Sequence, residues 1–323
     1  MLESPGVQRR GVGHGASSAG SRAGHTCVIM NPAAGKARAR QLRTRIESAF
    51  ARAGAEFEIA LTRGPGHATE LARAAAARGC RMVCAVGGDG TLAETASALA
   101  GTGTLLALIP RGTANQVAFN LGIPRNIEAA VQVALHGRVA ELDVGVIDGR
   151  VFTLAAGAGL DAAVMARATP ALNERWGFGA YVYAMLKESV TSHRRHFDIV
   201  ADGRDLHVGA MSVLIANVGA LYTAFPNVRM PMAPEPDSAW HDGMLDVVIV
   251  EPASVPRFAG LLARLAVVGF GGAGLLHLQA REVELHAIPA APFQIDGDPA
   301  GETPVTAVAL PAALRIMVPR SAP

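Results

Sequence analysis

At 323 residues the chain is long enough for two domains and a sizeable interior. Half of it is apolar, much of that alanine, but only 5% is aromatic and no run is long and clean enough to span a bilayer, which excludes a helical membrane protein. A formal net charge of +2 gives no support to a nucleic-acid partner.

Residues 1–24 are Gly, Ser, Arg and His without periodicity; they read as a disordered tail and lack the apolar core of a signal peptide. The three cysteines, Cys27, Cys80 and Cys84, fall in or beside predicted strands without metal-ligand spacing, so buried reduced thiols of a cytoplasmic protein are expected. Residues 25–30 are a short apolar run that ends in Asn31-Pro32-Ala33-Ala34-Gly35-Lys36. Leu42, Ile46 and Phe50 then recur at helical spacing among arginines, giving strand, loop and helix. The loop lacks the spacing and terminal Lys-Ser/Thr of a Walker A motif, which disfavours a P-loop enzyme. Lys36 either reaches a phosphate or is a solvated lysine in a helix's first turn. A second strand over 57–61 is followed by Thr62, a Gly-Pro-Gly turn and an alanine-rich helix over 67–78.

The chain is organised around the next stretch. Residues 82–86 form a buried strand, and glycines at 87, 88 and 90 free the backbone for conformations that Cβ-bearing residues resist. Thr91 with Glu94 three positions on is a capping box, which starts a helix at Thr91 with its unpaired N–H groups pointing into the loop. Such a loop is a phosphate cradle. Asp89 within it would repel a phosphate unless a cation such as Mg²⁺ bridges the two; the alternative is a tight βα turn with Asp as turn former. A fourth strand over 105–109 stops at Pro110-Arg111-Gly112-Thr113-Ala114-Asn115-Gln116, again before a helical segment, which reaches Leu121. Strands and helices alternate strictly over 25–136, which argues a parallel sheet covered by helices, with ligands at the carboxyl ends of its strands. Those ends carry residues 31–36, Thr62, 87–91 and 112–115, all polar or glycine-rich, as one nucleotide site requires.

After Asp143 the texture changes. Residues 144–147 and 151–154 flank Asp148-Gly149, a hairpin signal, and runs over 197–200, 208–216, 244–250 and 283–287 read as strands of a mainly antiparallel half. One helix is expected over 180–190, its apolar face read as core in preference to a lipid slot, and 258–270, interrupted by Arg264, suits a core or surface helix. Residues 293–298 read as strand into turn, and 314–318 as a last strand.

In this order, Asn-Pro-x-x-Gly at 31–35, Gly-Gly-Asp-Gly-Thr at 87–91, Pro-x-Gly-Thr-x-Asn at 110–115, Asp-Gly-x-Leu-Asp at 242–246 and Asp-Gly-Asp at 296–298 resemble the diacylglycerol kinase catalytic family. The resemblance is to its bacterial soluble lipid kinases, relatives of sphingosine and ceramide kinases, and it covers residues 25–320. Gly-Gly-Asp-Gly alone is shared with NAD kinases and phosphofructokinases; five motifs in order are specific. The resemblance implies an α/β fold. Its parts would be an N-terminal parallel-sheet, three-layer nucleotide-binding domain over 25–142, a C-terminal antiparallel β-sandwich-like lipid-substrate domain over 143–305, and a strand in 306–323 returning to the first domain.

It further implies that ATP and Mg²⁺ are the cofactors. The nucleotide positions are Asn31, Gly35, Lys36, Thr62, Gly88, Asp89, Gly90, Thr91, Leu92, Ala93, Glu94, Thr113 and Asn115. Asp89 would organise the metal at the reaction centre, and Asp298 falls where the family carries its general base. Asp242, with the carbonyls of Ala239 and Met244, matches a second, structural magnesium site, although Asp242 alone also reads as a turn former. This chain departs from the family in carrying Gln116 where many bacterial members have Asp, Asp298 for Glu, and Leu154 where Asn is frequent. The implied activity is phosphorylation of a lipid hydroxyl, with alternatives in a kinase of a soluble acceptor such as NAD and a catalytically silent nucleotide or lipid sensor. Expected partners are ATP and a lipid presented at a membrane surface, with no nucleic acid and no transmembrane segment. A homodimer is left open, and the expected location is cytoplasmic with transient membrane association, in lipid and phospholipid metabolism.

Overall fold

The computed structural model describes residues 25–32, 36–160, 162–163, 195–222, 229–234, 239–251 and 274–321, with isolated positions between 257 and 271. The expected tail over 1–24, Gly35 and the expected helix over 180–190 lie outside these residues, as does most of 258–270.

In chain order the elements are β1 (Thr26–Met30), α1 (Lys36–Arg52), β2 (Phe57–Leu61), α2 (His67–Ala77), β3 (Met82–Gly87), α3 (Asp89–Leu99), β4 (Leu105–Pro110), α4 (Gln116–Asn120) and α5 (Ile127–His136). Strands follow: β5 (Arg138–Ile147), β6 (Arg150–Phe152), β7 (Ala155–Gly159), β8 (Arg195–Ala201), β9 (Arg204–Ala210), β10 (Ser212–Ala216), β11 (Ala220–Tyr222), β12 (Arg229–Pro231), β13 (Leu245–Val250), β14 (Leu275–Ala280), β15 (Glu282–Ile288), β16 (Pro292–Ile295), β17 (Asp298–Glu302) and β18 (Val305–Val318). They form two compact units, the first from described parts of 1–111, 121–140 and 314–322, the second from 112–120 and 141–313.

The first unit is a parallel sheet in the order β2-β1-β3-β4, joined at β4 by the C-terminal part of β18 through the parallel pair Ile316 and Leu106. Strands β1, β3 and β4 are buried on both faces, hence their near-continuous apolar runs, while β2 at the edge is half-buried and carries Glu58. Side chains alternate, so Val28, Met30, Cys84, Val86, Ala107 and Ile109 pack against Ile46, Ala49 and Phe50 of α1 and Ile127, Ala130, Val131 and Ala134 of α5. On the other face α2 and α3 lie side by side, with Ala68, Ala72, Ala75 and Ala96 and the larger Leu92 and Leu99 buried. Asn126 caps α5 by accepting the Ala129 N–H at 2.9 Å. The expected helix-covered parallel sheet is thus present.

The second unit is antiparallel. One sheet runs β14-β13-β10-β7-β16-β17, and β9-β8-β15-β18 form another ladder. Their inner faces share a core that includes Phe152, Phe197, Ile199, Val213, Ile215, Val247, Ile249, Leu285 and Phe293, the pattern of a β-sandwich. Asp148 and Gly149 both have positive φ (49° and 76°), the conformation a two-residue hairpin between β5 and β6 requires.

Several expectations are corrected. The run 208–216 is two strands, β9 and β10, which break at Met211 and belong to different sheets. Strands β7 and β14 were not expected from sequence, and β18 begins at Val305. Cys27 and Cys80 are joined in a disulfide; Cys84 alone is a free, buried thiol. The reason lies in register: Thr26 is level with Met82, so the chain entering β3 runs beside the start of β1. No helix among the described residues is long and apolar enough to cross a membrane.

Candidate active site

In the first unit the strand register brings successive loops to one edge. Thr62 N–H donates to Met30 O at 3.0 Å, Asn31 N–H to Val86 O at 3.0 Å and Arg111 N–H to Gly87 O at 2.7 Å, so four chains leave the carboxyl edge of the sheet level with one another. Gly87 is required there, because a Cβ on it would lie 2.5 Å from Thr91 Oγ1. The buried Thr91 hydroxyl in turn accepts from Asn31 Nδ2 at 3.2 Å, tying the first loop to the glycine loop.

Helix α3 begins at Asp89, with Gly88 as N-cap and no side-chain cap, which corrects the capping box expected to start it at Thr91. Glu94 works elsewhere: its Oε1 accepts the Gly66 N–H at 2.8 Å and its Oε2 the Ala68 N–H at 2.9 Å. Gly66 is the N-cap of α2 and offers no side chain, so Glu94 caps that neighbouring helix, a carboxylate at the positive end of its dipole. The Thr69 hydroxyl donates to Glu94 O at 3.0 Å, closing the clasp between α2 and α3. The carboxylate of Asp89 stands half-buried in the first turn of α3, a position the helix N-terminus favours for an anion. Gly90 is exposed, Leu92 turns into the core and Ala93 is half-buried. Thr62 is buried, and Lys36 opens α1. Of the expected nucleotide positions, Asn31, Thr62 and Gly88 to Glu94 are therefore brought to one edge of one sheet.

The remaining expected residues belong to the second unit. Asn115, buried and at φ 52°, accepts the Gly112 N–H at 2.8 Å and donates to Gly112 O at 2.7 Å, which commits its amide to its own loop. Thr113 on that loop is exposed and Gln116 starts α4. Ala239, Asp242 and Met244 share the loop before β13. There Asp242 Oδ1 accepts the Met244 N–H at 2.9 Å and Oδ2 the Gln279 amide at 3.0 Å. Burial first, and then the charges of Asp246 and Asp143, push the Asp242 carboxyl above the usual carboxylate range.

Asp143 takes one N–H on each oxygen, with Oδ2 accepting Gly243 N–H at 2.6 Å and Oδ1 accepting Ala312 N–H at 2.7 Å. Asp246 is wholly buried; its Oδ1 lies 2.6 Å from His277 Nε2, while its Oδ2 has no partner among the described residues. A loop in which the charges of Asp246 and Asp143 help raise the Asp242 carboxyl, and one buried carboxylate oxygen of Asp246 lacks a partner among the described residues, fits a hard divalent cation held by oxygen donors.

At the turn between β16 and β17, Asp296 (φ 49°) receives four hydrogen bonds. They come from Thr153 N at 2.9 Å, Thr153 Oγ1 at 3.3 Å, Leu154 N at 2.9 Å and Ala155 N at 3.1 Å. Burial raises its pKa against the lowering effect of those bonds. Two residues on, Asp298 opens β17 with its side chain exposed. Asp296 thus fastens the turn that presents Asp298. Sequence reasoning gave no role to Asp143, Asp246, His277, Gln279 or Asp296; only Asp246 and Asp296 lay inside quoted motifs.

Residues 25–147 match the family described as Diacylglycerol kinase catalytic domain, and residues 155–318 match YegS C-terminal NAD kinase beta sandwich-like domain. An uncharacterized protein of Synechocystis sp. is 27% identical over 246 residues, 75% of this chain, which spans only 55% of that relative's length. Diacylglycerol kinase of Bacillus subtilis is 26% identical over 298 residues, covering 91% of this chain and 96% of the relative. A crystal structure of a diacylglycerol kinase from Bacillus anthracis superimposes with a TM-score of 0.72 at 23% identity, over 91% of this chain and 97% of that one. At that identity the likeness shows the fold alone.

Proposed function

The chain belongs to the diacylglycerol kinase catalytic-domain family, in the form that carries a YegS-type C-terminal domain, and on that premise we propose that it is an ATP-dependent lipid kinase moving the γ-phosphoryl group of Mg·ATP onto a lipid hydroxyl. The observation that carries this reading is the carboxyl edge of the first unit's sheet, where the glycine loop, the start of α3 and the Asn31 and Thr62 loops leave side by side.

Phosphoryl transfer asks a protein mainly to position the phosphates and neutralise their charge. Backbone N–H groups of the first turn of an α-helix have no intrahelical acceptor, so Gly88 to Thr91 offer phosphate oxygens a donor set backed by the helix dipole. Lys36 and Thr62 serve the same phosphates, and Thr113 the nucleotide. The donors at this edge are hard: the Asp89 carboxylate, the Thr91 hydroxyl and the Asn31 amide, the last two held 3.2 Å apart. They suit Mg²⁺, which at Asp89 supplies the positive charge that lets a carboxylate and a triphosphate share one loop. Asp298 accepts the proton of the attacking hydroxyl; its side chain is one methylene shorter than the family's Glu, so the hydroxyl approaches it more closely. Asp242, with the carbonyls of Ala239 and Met244, would hold a second, structural Mg²⁺. The acceptor is met at a membrane surface by a transient peripheral contact.

Incubation with γ-labelled ATP, Mg²⁺ and vesicles carrying diacylglycerol, long-chain bases or phosphatidylglycerol, beside NAD in solution, tests the reading. Label in a lipid product is the expected result. Label only in NAD, or ATP bound without turnover on any acceptor, would replace it with one of the alternatives.

A further inference from the structure

At the other edge of the first unit's sheet, where the strands begin, His25, Cys27, Glu58, Arg78 and Cys80 converge, and phosphoryl transfer uses none of them. Cys27 of β1 is directly opposite Glu58 of β2. Helix α2 ends at Arg78, Gly79 turns the chain with φ 75°, and the Cys80 N–H closes the helix end on Ala75 O at 3.1 Å, which delivers Cys80 to the disulfide with Cys27. Around the bond, Cys27 Sγ lies 3.2 Å from Glu58 Oε1 and 3.6 Å from Arg78 Nη2, Arg78 is paired with Glu58, and His25 Nε2 is 3.9 Å from Glu58 Oε2.

We propose that Cys27 and Cys80 form a reversible dithiol and disulfide site that exchanges with low-molecular-weight thiols. The same neighbours serve both redox forms. A bonded sulfur has no proton to give Glu58, whereas a reduced Cys27 thiol at 3.2 Å donates to that carboxylate, and a Cys27 thiolate receives the Arg78 N–H. Arg78 thereby sets the direction of exchange. The thiolate of an incoming thiol attacks Cys80 Sγ, the disulfide breaks, and its electron pair goes to Cys27 Sγ beside the guanidinium; the Cys27 thiolate then takes up the proton the first thiol released. A second thiolate attacks the small-molecule sulfur of the mixed disulfide and frees Cys80 as a thiol, which takes the second proton. Two thiols thus lose two electrons and two protons, which the protein pair gains. The three donors Cys27, Glu58 and Cys80 also lie within 4.8 Å of one another. A soft cation among them would meet the Arg78 charge already bonded to two of the three, so the geometry favours exchange over metal.

Cys84 is the internal control: it is wholly buried, whereas Cys27 and Cys80, also buried, keep 4% and 5% exposure at the strand ends, and burial pushes the Cys84 thiol up to about 12, so it stays protonated. Closing the bond links points 53 residues apart, which restricts the unfolded chain, so the oxidised protein should melt higher by roughly 5 °C or more.

The test uses the full chain in graded ratios of reduced to oxidised glutathione, quenched by alkylation and mapped by mass spectrometry. Expected are a joint, reversible two-electron conversion of Cys27 and Cys80 in the folded protein, no labelling of Cys84, glutathione trapped on Cys80 in Cys27→Ser, and slower exchange in Arg78→Met. If a variant fails to fold, the wild-type titration and the difference in Tm between its two redox forms still decide. The proposal is overturned if both cysteines alkylate at every ratio, if the bond opens only on unfolding, or if the reduced protein releases stoichiometric zinc to a chelator.

Discussion

Asp143 and Asp296 of the second unit and Asp89 of the first do opposite work. In the second unit, Asp143 and Asp296 accept N–H groups of chain segments far away in sequence, and they hold loops in place. In the first unit, Glu94 does that kind of work for the start of α2, and the close fit of Gly87 against Thr91 shapes the loop that displays Asp89 in a helix's first turn. Asp242 stands between these cases: it has two donors, yet it faces the charges of Asp246 and Asp143. The difference teaches that a carboxylate's neighbours, more than its place in a motif, separate a strut from a site. One bonded by N–H groups of distant segments is structural, and one facing other acids, or sharing a loop with a phosphate, calls for a cation.

Substitutions can break that contrast. The largest effect is expected at Asp89: Asp89→Ala should lower turnover at least about 10³-fold, about 4 kcal/mol of transition-state stabilisation, with the urea unfolding midpoint unchanged. Equal losses of activity and stability would make Asp89 a strut. Next, Asp296→Ala strands three backbone N–H groups and a hydroxyl and should cost about 3 kcal/mol in denaturant unfolding; a cost below about 1 kcal/mol would mean the turn holds itself. Glu94→Ala should cost about 1 to 2 kcal/mol through the lost cap and raise the KM for ATP several-fold, since the Thr62 loop leads into α2. Saturation kinetics read the second effect.

The smallest effect is at Asp242. Its folded-state pKa lies above the ordinary 3.8, so the folded protein keeps that proton to higher pH than the unfolded chain does. The stability linked to it is complete below 3.8 and is lost as pH rises through the folded value. In metal-free buffer, Tm of the wild type should therefore fall slightly more than that of Asp242→Asn as pH rises above 3.8, and Mg²⁺ should remove the difference. Identical profiles with and without Mg²⁺ would count against a metal at this loop.

Much of the first unit was legible because its signals are local. Mostly apolar runs of five or six residues, each with a glycine or proline at its end or within three positions after it, mark β1 to β4, and their alternation with helices dictates a parallel sheet. The start of α3 was misread because Thr91 and Glu94 have capping-box spacing, while the acceptors of Glu94 serve a helix 26 to 28 positions away. Strand β7, Ala155-Ala156-Gly157-Ala158-Gly159, has no β-branched or aromatic residue and is a strand only through its neighbours β10 and β16. Nothing at Met211 punctuates the passage from β9 to β10, since the break comes from a change of sheet. The disulfide and the clasps of Asp143 and Asp296 join segments 53 to 169 residues apart, and pairing at that range leaves no periodic trace.

The most direct measurement is ATP affinity by calorimetry, with Mg²⁺ and in EDTA, for the wild type and Asp89→Asn. The wild type should lose at least about tenfold without the metal, and Asp89→Asn should bind metal-free ATP more tightly than the wild type does, because the repelling charge is gone. Wild-type binding that is indifferent to Mg²⁺, with Asp89→Asn no better in EDTA, would contradict a metal ion between Asp89 and the triphosphate.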